Sequence, residues 1–128
     1  MGRYYDGDIQ GKFWFGVQSS DDAEFFGAVG CDPLYIDYYV PEIEPVREGV
    51  EQCIKTLGDD KARLDKFFSA HDSYNPNMIQ TWWKDKYKID VSFVDITRML
   101  QWYARLELGN KILKCMEETG ECNFMAEV

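Results

Sequence analysis

Residues 34–58, LYIDYYVPEIEPVREGVEQCIKTLG, decide the fold class, because the spacing of their apolar side chains changes midway. In the first seven residues apolar side chains alternate, and one face carries Leu34, Ile36, Tyr38 and Val40. This spacing predicts a β-strand with one buried face. From Pro45 onward, apolar residues recur every three or four positions. Proline suits a first helical turn and glycine suits the position after a helix end, so an amphipathic helix is expected from Pro45 to Gly58.

The same two spacings organise the rest of the chain. Alternation predicts strands at 12–18 and 122–128, and a further strand is expected at 3–9. Residues favoured at helix starts precede three more helical segments: Asp59 or Asp60, Asn75 before Pro76, and Ser92 with Asp95 three positions on. Four helices are therefore expected, at about 45–57, 60–71, 76–87 and 93–118.

Strands with one open face and a run of helices predict the α+β class. The expected architecture is a small, mostly antiparallel sheet of three or four strands with about four helices packed on one face. No linker-like stretch interrupts the sequence, so residues 1–128 are expected to form a single globular domain.

Composition indicates a folded protein of the cytoplasm. Aromatic residues make up 16% of the 128 residues, which is unlike a disordered chain. No apolar run approaches the roughly 20 residues that span a bilayer, and the first nine residues lack the apolar core of a signal peptide. The expectation is a soluble, intracellular protein that does not bind membranes.

The four cysteines, at positions 31, 53, 115 and 122, lack the close pairing of a zinc motif, and His71 is the sole histidine. Reduced, mostly buried thiols are expected, because free cysteine is among the most buried residue types. A disulfide, or zinc held by all four thiols, is the alternative. Neither a cofactor nor a bound metal is predicted.

Acidic residues concentrate in the N-terminal third of the chain. The formal net charge is −9, and residues 1–44 contribute −7 of it, with nine acidic and two basic residues. Because nucleic-acid binding requires Lys and Arg to neutralise phosphates, direct binding to DNA or RNA is not expected. The predicted partner is a protein with a basic surface. Self-association into a homo-oligomer stays open.

The outward face of the predicted sheet is the main candidate site. If the strands at 12–18, 34–40 and 122–128 are neighbours, that face carries Trp14, Tyr35, Asp37, Tyr39, Met125 and Glu127. Tryptophan and tyrosine beside a few carboxylates are typical of protein interfaces. The alternative is that a helix or the N-terminal arm, with Tyr4 and Tyr5, covers this face.

The acidic segment SSDDAEFF, residues 19–26, is a second candidate. Asp21, Asp22 and Glu24 could belong to a partner-binding loop. Asp21 and Asp22 could equally cap a short helix, or carboxylates here could perform acid–base or metal chemistry.

Two other motifs favour structural roles. DGDIQG, residues 6–11, resembles the start of a calcium loop, but the twelfth loop position is Val17 where a bidentate Glu is required. A tight acidic turn is the preferred interpretation. His71 has Ser69 and Asp72 nearby, but no nucleophile-elbow motif accompanies it. It is expected at a helix C-terminus, where a histidine interacts favourably with the negative end of the helix dipole.

These observations favour a small acidic, non-enzymatic module that binds a protein through the aromatic and acidic sheet face and the loop at 19–24. Three alternatives remain open. The first is an inhibitor that mimics nucleic acid in a basic groove. The second is a small enzyme that uses carboxylates, with Asp21, Asp22 or Asp37 as its acid–base or metal groups. The third is a structural subunit of a larger assembly.

Overall fold

The structure, a computed structural model, describes residues 3–14, 18–30, 35–71 and 74–127, and only the backbone at positions 35, 36 and 127. It contains a five-stranded antiparallel sheet, with strand order β2-β1-β5-β4-β3. The strands are β1 (Tyr4–Gly7), β2 (Gly11–Lys12), β3 (Val29–Gly30), β4 (Tyr35–Tyr39) and β5 (Asn123–Glu127). The predicted α+β class is confirmed, with more strands than the three or four expected.

The four predicted helices are all present. They are α1 (Ile43–Leu57), α2 (Asp59–Ala70), α3 (Pro76–Tyr87) and α4 (Phe93–Thr119). A 3₁₀ helix (Asp22–Phe26), which the sequence indicated only as one option for the acidic segment, precedes β3. Within the described residues, no helix is both long and apolar enough to cross a membrane.

Helix caps explain where α3 and α4 begin. The Asn75 side chain accepts a hydrogen bond from the Met78 N–H at 2.9 Å, and the Ser92 hydroxyl accepts one from the Asp95 N–H at 3.1 Å. The cap predicted for α2 is wrong. Gly58 occupies the N-cap, and both candidate aspartates lie inside the first helical turn. In the first turn their negative charges still interact favourably with the positive end of the helix dipole.

The helices pack against one face of the sheet, and α4 lies at the centre of the helical layer. Tyr38 and Phe124 point from neighbouring strands into this layer, with ring centroids 5.6 Å apart. The Lys111 ammonium, on α4, donates a hydrogen bond to the Tyr5 hydroxyl of β1 at 2.8 Å. These contacts fix the opposite face of the sheet as the outer one.

The strand predicted at 12–18 is wrong at its described positions. Among the described residues, Gly11 and Lys12 pair with β1, and β2 ends at Lys12. The Gln18 N–H donates to the Trp14 carbonyl at 2.9 Å, and the Gln18 side-chain oxygen accepts from the Trp14 N–H at 3.0 Å. The strand prediction also assigned the side chains at positions 15–17 to the two faces of the sheet. These positions lie outside the described residues.

Candidate interaction surface

The outer face of the sheet is open to solvent. Throughout, "outer face" means the exposed side chains that point away from the helices: Tyr4, Asp6, Lys12, Val29, Asp37, Tyr39, Asn123 and Met125. Four of them are large apolar or aromatic side chains that expose between 42% and 47% of their area, namely Tyr4, Val29, Tyr39 and Met125. Tyr4 is therefore part of this face and does not cover it, contrary to one alternative considered from the sequence.

Strand register arranges these residues in rows across the sheet. Met125 on the central strand β5 pairs with Asp6 of β1 on one side and with Asp37 of β4 on the other. In the next row, Tyr39 lies between Asn123 and Val29. Directly paired residues point to the same face of a sheet, so each row forms a continuous strip of surface.

Charge on the outer face is mainly negative. Among the described residues, Asp6 and Asp37 have neither a hydrogen bond nor an ion pair from their carboxylates. The Lys12 ammonium, the one cation among the described residues of this face, lies over the Tyr4 ring at 5.4 Å from its centroid. The Asp8 carboxylate, just beyond β1, accepts from the Asn123 N–H at 2.8 Å and so holds the start of β5.

An open groove of about 450 Å³ crosses this face. Its walls include Asp6, Asp37, Tyr39, Asn123 and Met125. Its floor is formed by Gly7, Tyr38 and Phe124. The side chains of Tyr38 and Phe124 are buried on the other side of the sheet, so these residues present backbone to the groove.

The structure brings together three of the residues that the sequence assigned to this face, Asp37, Tyr39 and Met125. The Tyr35 backbone lies in the correct register of β4, and its side chain, like that of Glu127, is outside the described residues. Asp6, Tyr4 and Val29 were missed. Their place depended on β1 lying beside β5 and on the short β3, which neither spacing nor turn residues could determine.

Trp14 does not belong to the outer face. Its ring packs on the helical side, 5.5 Å from Phe68, 5.6 Å from Tyr74 and 6.0 Å from Tyr103, measured between ring centroids. β2 ends before Trp14, and the Trp14 carbonyl accepts from the Gln18 N–H and not from a neighbouring strand. The side chain is half-buried and contributes to packing of α2 and α4.

The acidic segment lies apart from the outer face. Asp22 is buried, and its carboxylate accepts from Arg105 Nε at 2.7 Å and from Gln18 Nε2 at 2.9 Å. Glu24 accepts from the Tyr38 hydroxyl at 3.0 Å on the helical side of β4. Asp21 is exposed and accepts a hydrogen bond from the Ser19 hydroxyl.

Asp21, Asp22 and Asp37 do not converge on one point. Asp22 forms an ion pair with Arg105 on the helical side, while Asp37 projects from the opposite face of the sheet. Within the described residues, no group of three or more His, Cys, Asp or Glu side chains is placed to hold a metal ion.

The remaining sequence candidates serve the fold. His71 ends α2, its Nδ1 lies 2.9 Å from the Phe67 carbonyl oxygen, and its ring stacks on the Phe67 ring. Cys53, Cys115 and Cys122 are free and buried, and Cys31 lies outside the described residues. Burial raises the pKa of the Cys53 thiol to about 11, which makes it unreactive at neutral pH.

Comparison with known proteins identifies no relative. No protein-family model matches the chain, and no curated protein or solved structure matches it significantly. The function is therefore argued from the geometry of the outer face.

Proposed function

We propose that this protein is a non-enzymatic interaction module that binds a partner protein with a basic surface through the outer face. One observation carries the proposal. Four large apolar or aromatic side chains stay exposed on a sheet face that also carries two carboxylates without described partners. Exposed apolar side chains grouped on one face beside polar residues are typical of interaction sites, and tyrosine and methionine are enriched in interfaces.

The charge supports a basic protein over a nucleic acid as partner. Asp6 and Asp37 would repel phosphates, and Lys12 alone cannot neutralise a backbone. A partner rich in Lys and Arg gains both steering and complementarity from the same charges. The variant of this proposal in which the protein mimics nucleic acid predicts that DNA or RNA competes for the partner.

The acidic segment is a weaker contact candidate than the outer face. Two of its three carboxylates, those of Asp22 and Glu24, have intramolecular partners. Asp21 is the exposed one, and its carboxylate accepts from Ser19. The proposed contact therefore centres on Tyr39 and Met125.

Affinity capture from the native source tests the proposal. The immobilised protein, Tyr39→Ala and Met125→Ala are compared at low and high salt, and the retained proteins are identified by mass spectrometry. Phe93→Ala is the matched control, because Phe93 is an equally exposed apolar residue at the start of α4. The expected result is a protein retained by the parent chain and by Phe93→Ala, released by salt, and lost from both outer-face variants.

Two outcomes contradict the proposal. Retention that is unchanged in Tyr39→Ala and Met125→Ala would place the contact elsewhere. A solution mass that shows stable self-association, abolished by the same two substitutions, would mean that the outer face contacts a second copy of this chain.

A further inference from the structure

The groove on the outer face has a distinct pairing of apolar and charged walls. Met125 stands in the middle of its row, and Asp6 and Asp37 flank it on the two neighbouring strands. Tyr39, two positions along β4 from Asp37, forms the adjoining wall. The site thus offers a polarizable thioether between two carboxylates, with an aromatic ring beside them.

Strand spacing sets the separation of those carboxylates. Adjacent strands lie about 4.8 Å apart, so side chains on β1 and β4, with β5 between them, leave the sheet about 10 Å apart. Within the described residues, no third carboxylate, thiol or imidazole joins these two groups to form a metal site. Two carboxylates on either side of the central strand suit a planar cation that has hydrogen-bond donors on two opposite edges.

We propose that this groove binds an arginine side chain of the basic partner, with the guanidinium beside Met125, over the backbone floor, and between Asp6 and Asp37. The inference rests on the proposed function and specifies its central contact. Arginine fits better than lysine because its five donors spread in a fork, whereas an ammonium is a compact charge that reaches one carboxylate at a time. Its methylene stem packs on Met125, and its plane can lie against the Tyr39 ring.

The two carboxylates that would bind the guanidinium are already available in the free protein. Within the described chain the two carboxylates have no intramolecular cation to displace, so binding need not break an existing ion pair. The nearest outer-face cation, Lys12, is at the far side of β1 and contacts Tyr4.

Methyl NMR of the intact protein tests the inference. The chain has five methionines, and the Met125 methyl signal is assigned by its loss in Met125→Leu. Three peptides are titrated: acetyl-Gly-Arg-Gly-amide, the same peptide with lysine, and the same peptide with citrulline, which keeps the shape of arginine without its charge. The arginine peptide is expected to shift the Met125 signal saturably, the lysine peptide to bind more weakly, and the citrulline peptide to have no effect.

Charge-removing variants locate the binding site. Asp6→Asn and Asp37→Asn should each lower the affinity for the arginine peptide by about two- to fivefold, the range for exposed ion pairs. Asp21→Asn changes the net charge equally and lies off the outer face, so it should bind like the parent chain. Equal affinity for the arginine and citrulline peptides, or equal weakening by all three variants, would overturn the inference.

The result separates this inference from the proposed function. In one outcome, Tyr39→Ala abolishes capture of the partner while Asp6→Asn and Asp37→Asn change neither capture nor the shift of the Met125 signal by the arginine peptide. In that case the outer face binds its partner without an arginine in the groove. The proposed function then stands and the inference fails. If capture is unchanged in both Tyr39→Ala and Met125→Ala, the proposed function and the inference both fail.

Discussion

At the scale of single residues, Asp22 shows how the fold uses part of the acidic segment. Its carboxylate is almost fully buried and receives hydrogen bonds from Arg105 and Gln18. The Arg105 guanidinium lies against two aromatic rings, 4.7 Å from the Phe25 centroid and 4.6 Å from the Trp102 centroid. This arrangement ties the 3₁₀ helix to α4.

Replacing Asp22 by Asn should destabilise the protein. Breaking one side of a buried ion pair costs about 3–5 kcal/mol, and because Arg105 keeps 28% of its side chain exposed, the expected loss is smaller, about 2–4 kcal/mol. Urea unfolding at pH 7 measures it. Asp21→Asn, at the exposed neighbouring position, should change the free energy of unfolding by less than about 0.5 kcal/mol. Similar effects of the two substitutions would mean that the Arg105 contact contributes little.

Phe26 depends on two helical glycines. Its ring is fully buried, and a Cβ added at Gly49 of α1 would lie 2.6 Å from Phe26 Cδ1. A Cβ added at Gly109 of α4 would lie 2.4 Å from Phe26 Cε1 and Cζ. The absence of side chains at these two positions lets the ring enter the space between α1 and α4.

Gly109→Ala should therefore destabilise the protein although alanine favours a helix by about 1 kcal/mol over glycine. Overpacking costs about 1–3 kcal/mol, and a rigid aromatic ring cannot move aside as a flexible chain end could. Thermal unfolding measures the change. Phe26→Leu should restore part of the loss in the double variant. A stabilised Gly109→Ala protein would contradict the packing described for Phe26.

At the scale of elements, the sequence predicted the helices because their signals are local. Apolar spacing and the caps at Asn75 and Ser92 act within one or two turns, and they place α3 and α4 to within about a residue. β4 and β5 were also predicted from their own alternation. Strand order was not, because pairing between β1 and β5 joins the two ends of the chain and leaves no local signal.

The segment at 12–18 shows why alternation alone can mislead. Its apolar residues follow the period of a strand, but Gln18 hydrogen-bonds to Trp14 through both its backbone and its side chain. Tertiary packing of Trp14 against α2 and α4 then outweighs strand propensity. Because of this packing, Trp14 does not belong to the candidate site.

Trp14→Ala should accordingly affect stability and not partner binding. Removing a fully buried tryptophan costs about 3–5 kcal/mol, and the half-buried Trp14 should cost about 2–4 kcal/mol. Urea unfolding measures the loss, and capture is performed under conditions where the variant remains folded. Tyr39→Ala is the counterpart, with little effect on unfolding and a large effect on capture. Loss of the partner by folded Trp14→Ala would assign Trp14 to the interface after all.

At the scale of the whole molecule, the core contains ionisable groups that the fold keeps neutral. Burial raises the pKa of Tyr5, and it raises that of Tyr38 with help from the hydrogen bond to Glu24. Burial also raises the pKa values of the Cys53 and Cys122 thiols. The unfolded chain has no such burial, so its phenols and thiols ionise at about their ordinary pKa values of 10 and 9.

This difference predicts a loss of stability on the alkaline side. A raised pKa in the folded state gives stability that is complete below the unfolded-state pKa and is lost as the pH rises through the folded-state value. The free energy of unfolding should therefore be nearly constant from pH 7 to about 8.5 and fall above about 9. A fully buried group such as Tyr38 or Cys53 contributes at most about 1.4 kcal/mol per pH unit. Urea unfolding followed by far-UV circular dichroism between pH 7 and 11 measures the decline.

Tyr38→Phe isolates one contribution to that decline. At pH 7 the variant loses the hydrogen bond to Glu24 and should be about 1 kcal/mol less stable. Between pH 10 and 11 its stability should fall less steeply than that of the parent chain, because the unfolded state has one phenol fewer to ionise. Tyr39→Phe, which removes an exposed hydroxyl from the same strand, is the control for the loss of a phenol. Identical slopes for the parent chain and Tyr38→Phe would show that the Tyr38 phenol ionises as readily in the fold as outside it, against the burial that the structure gives it.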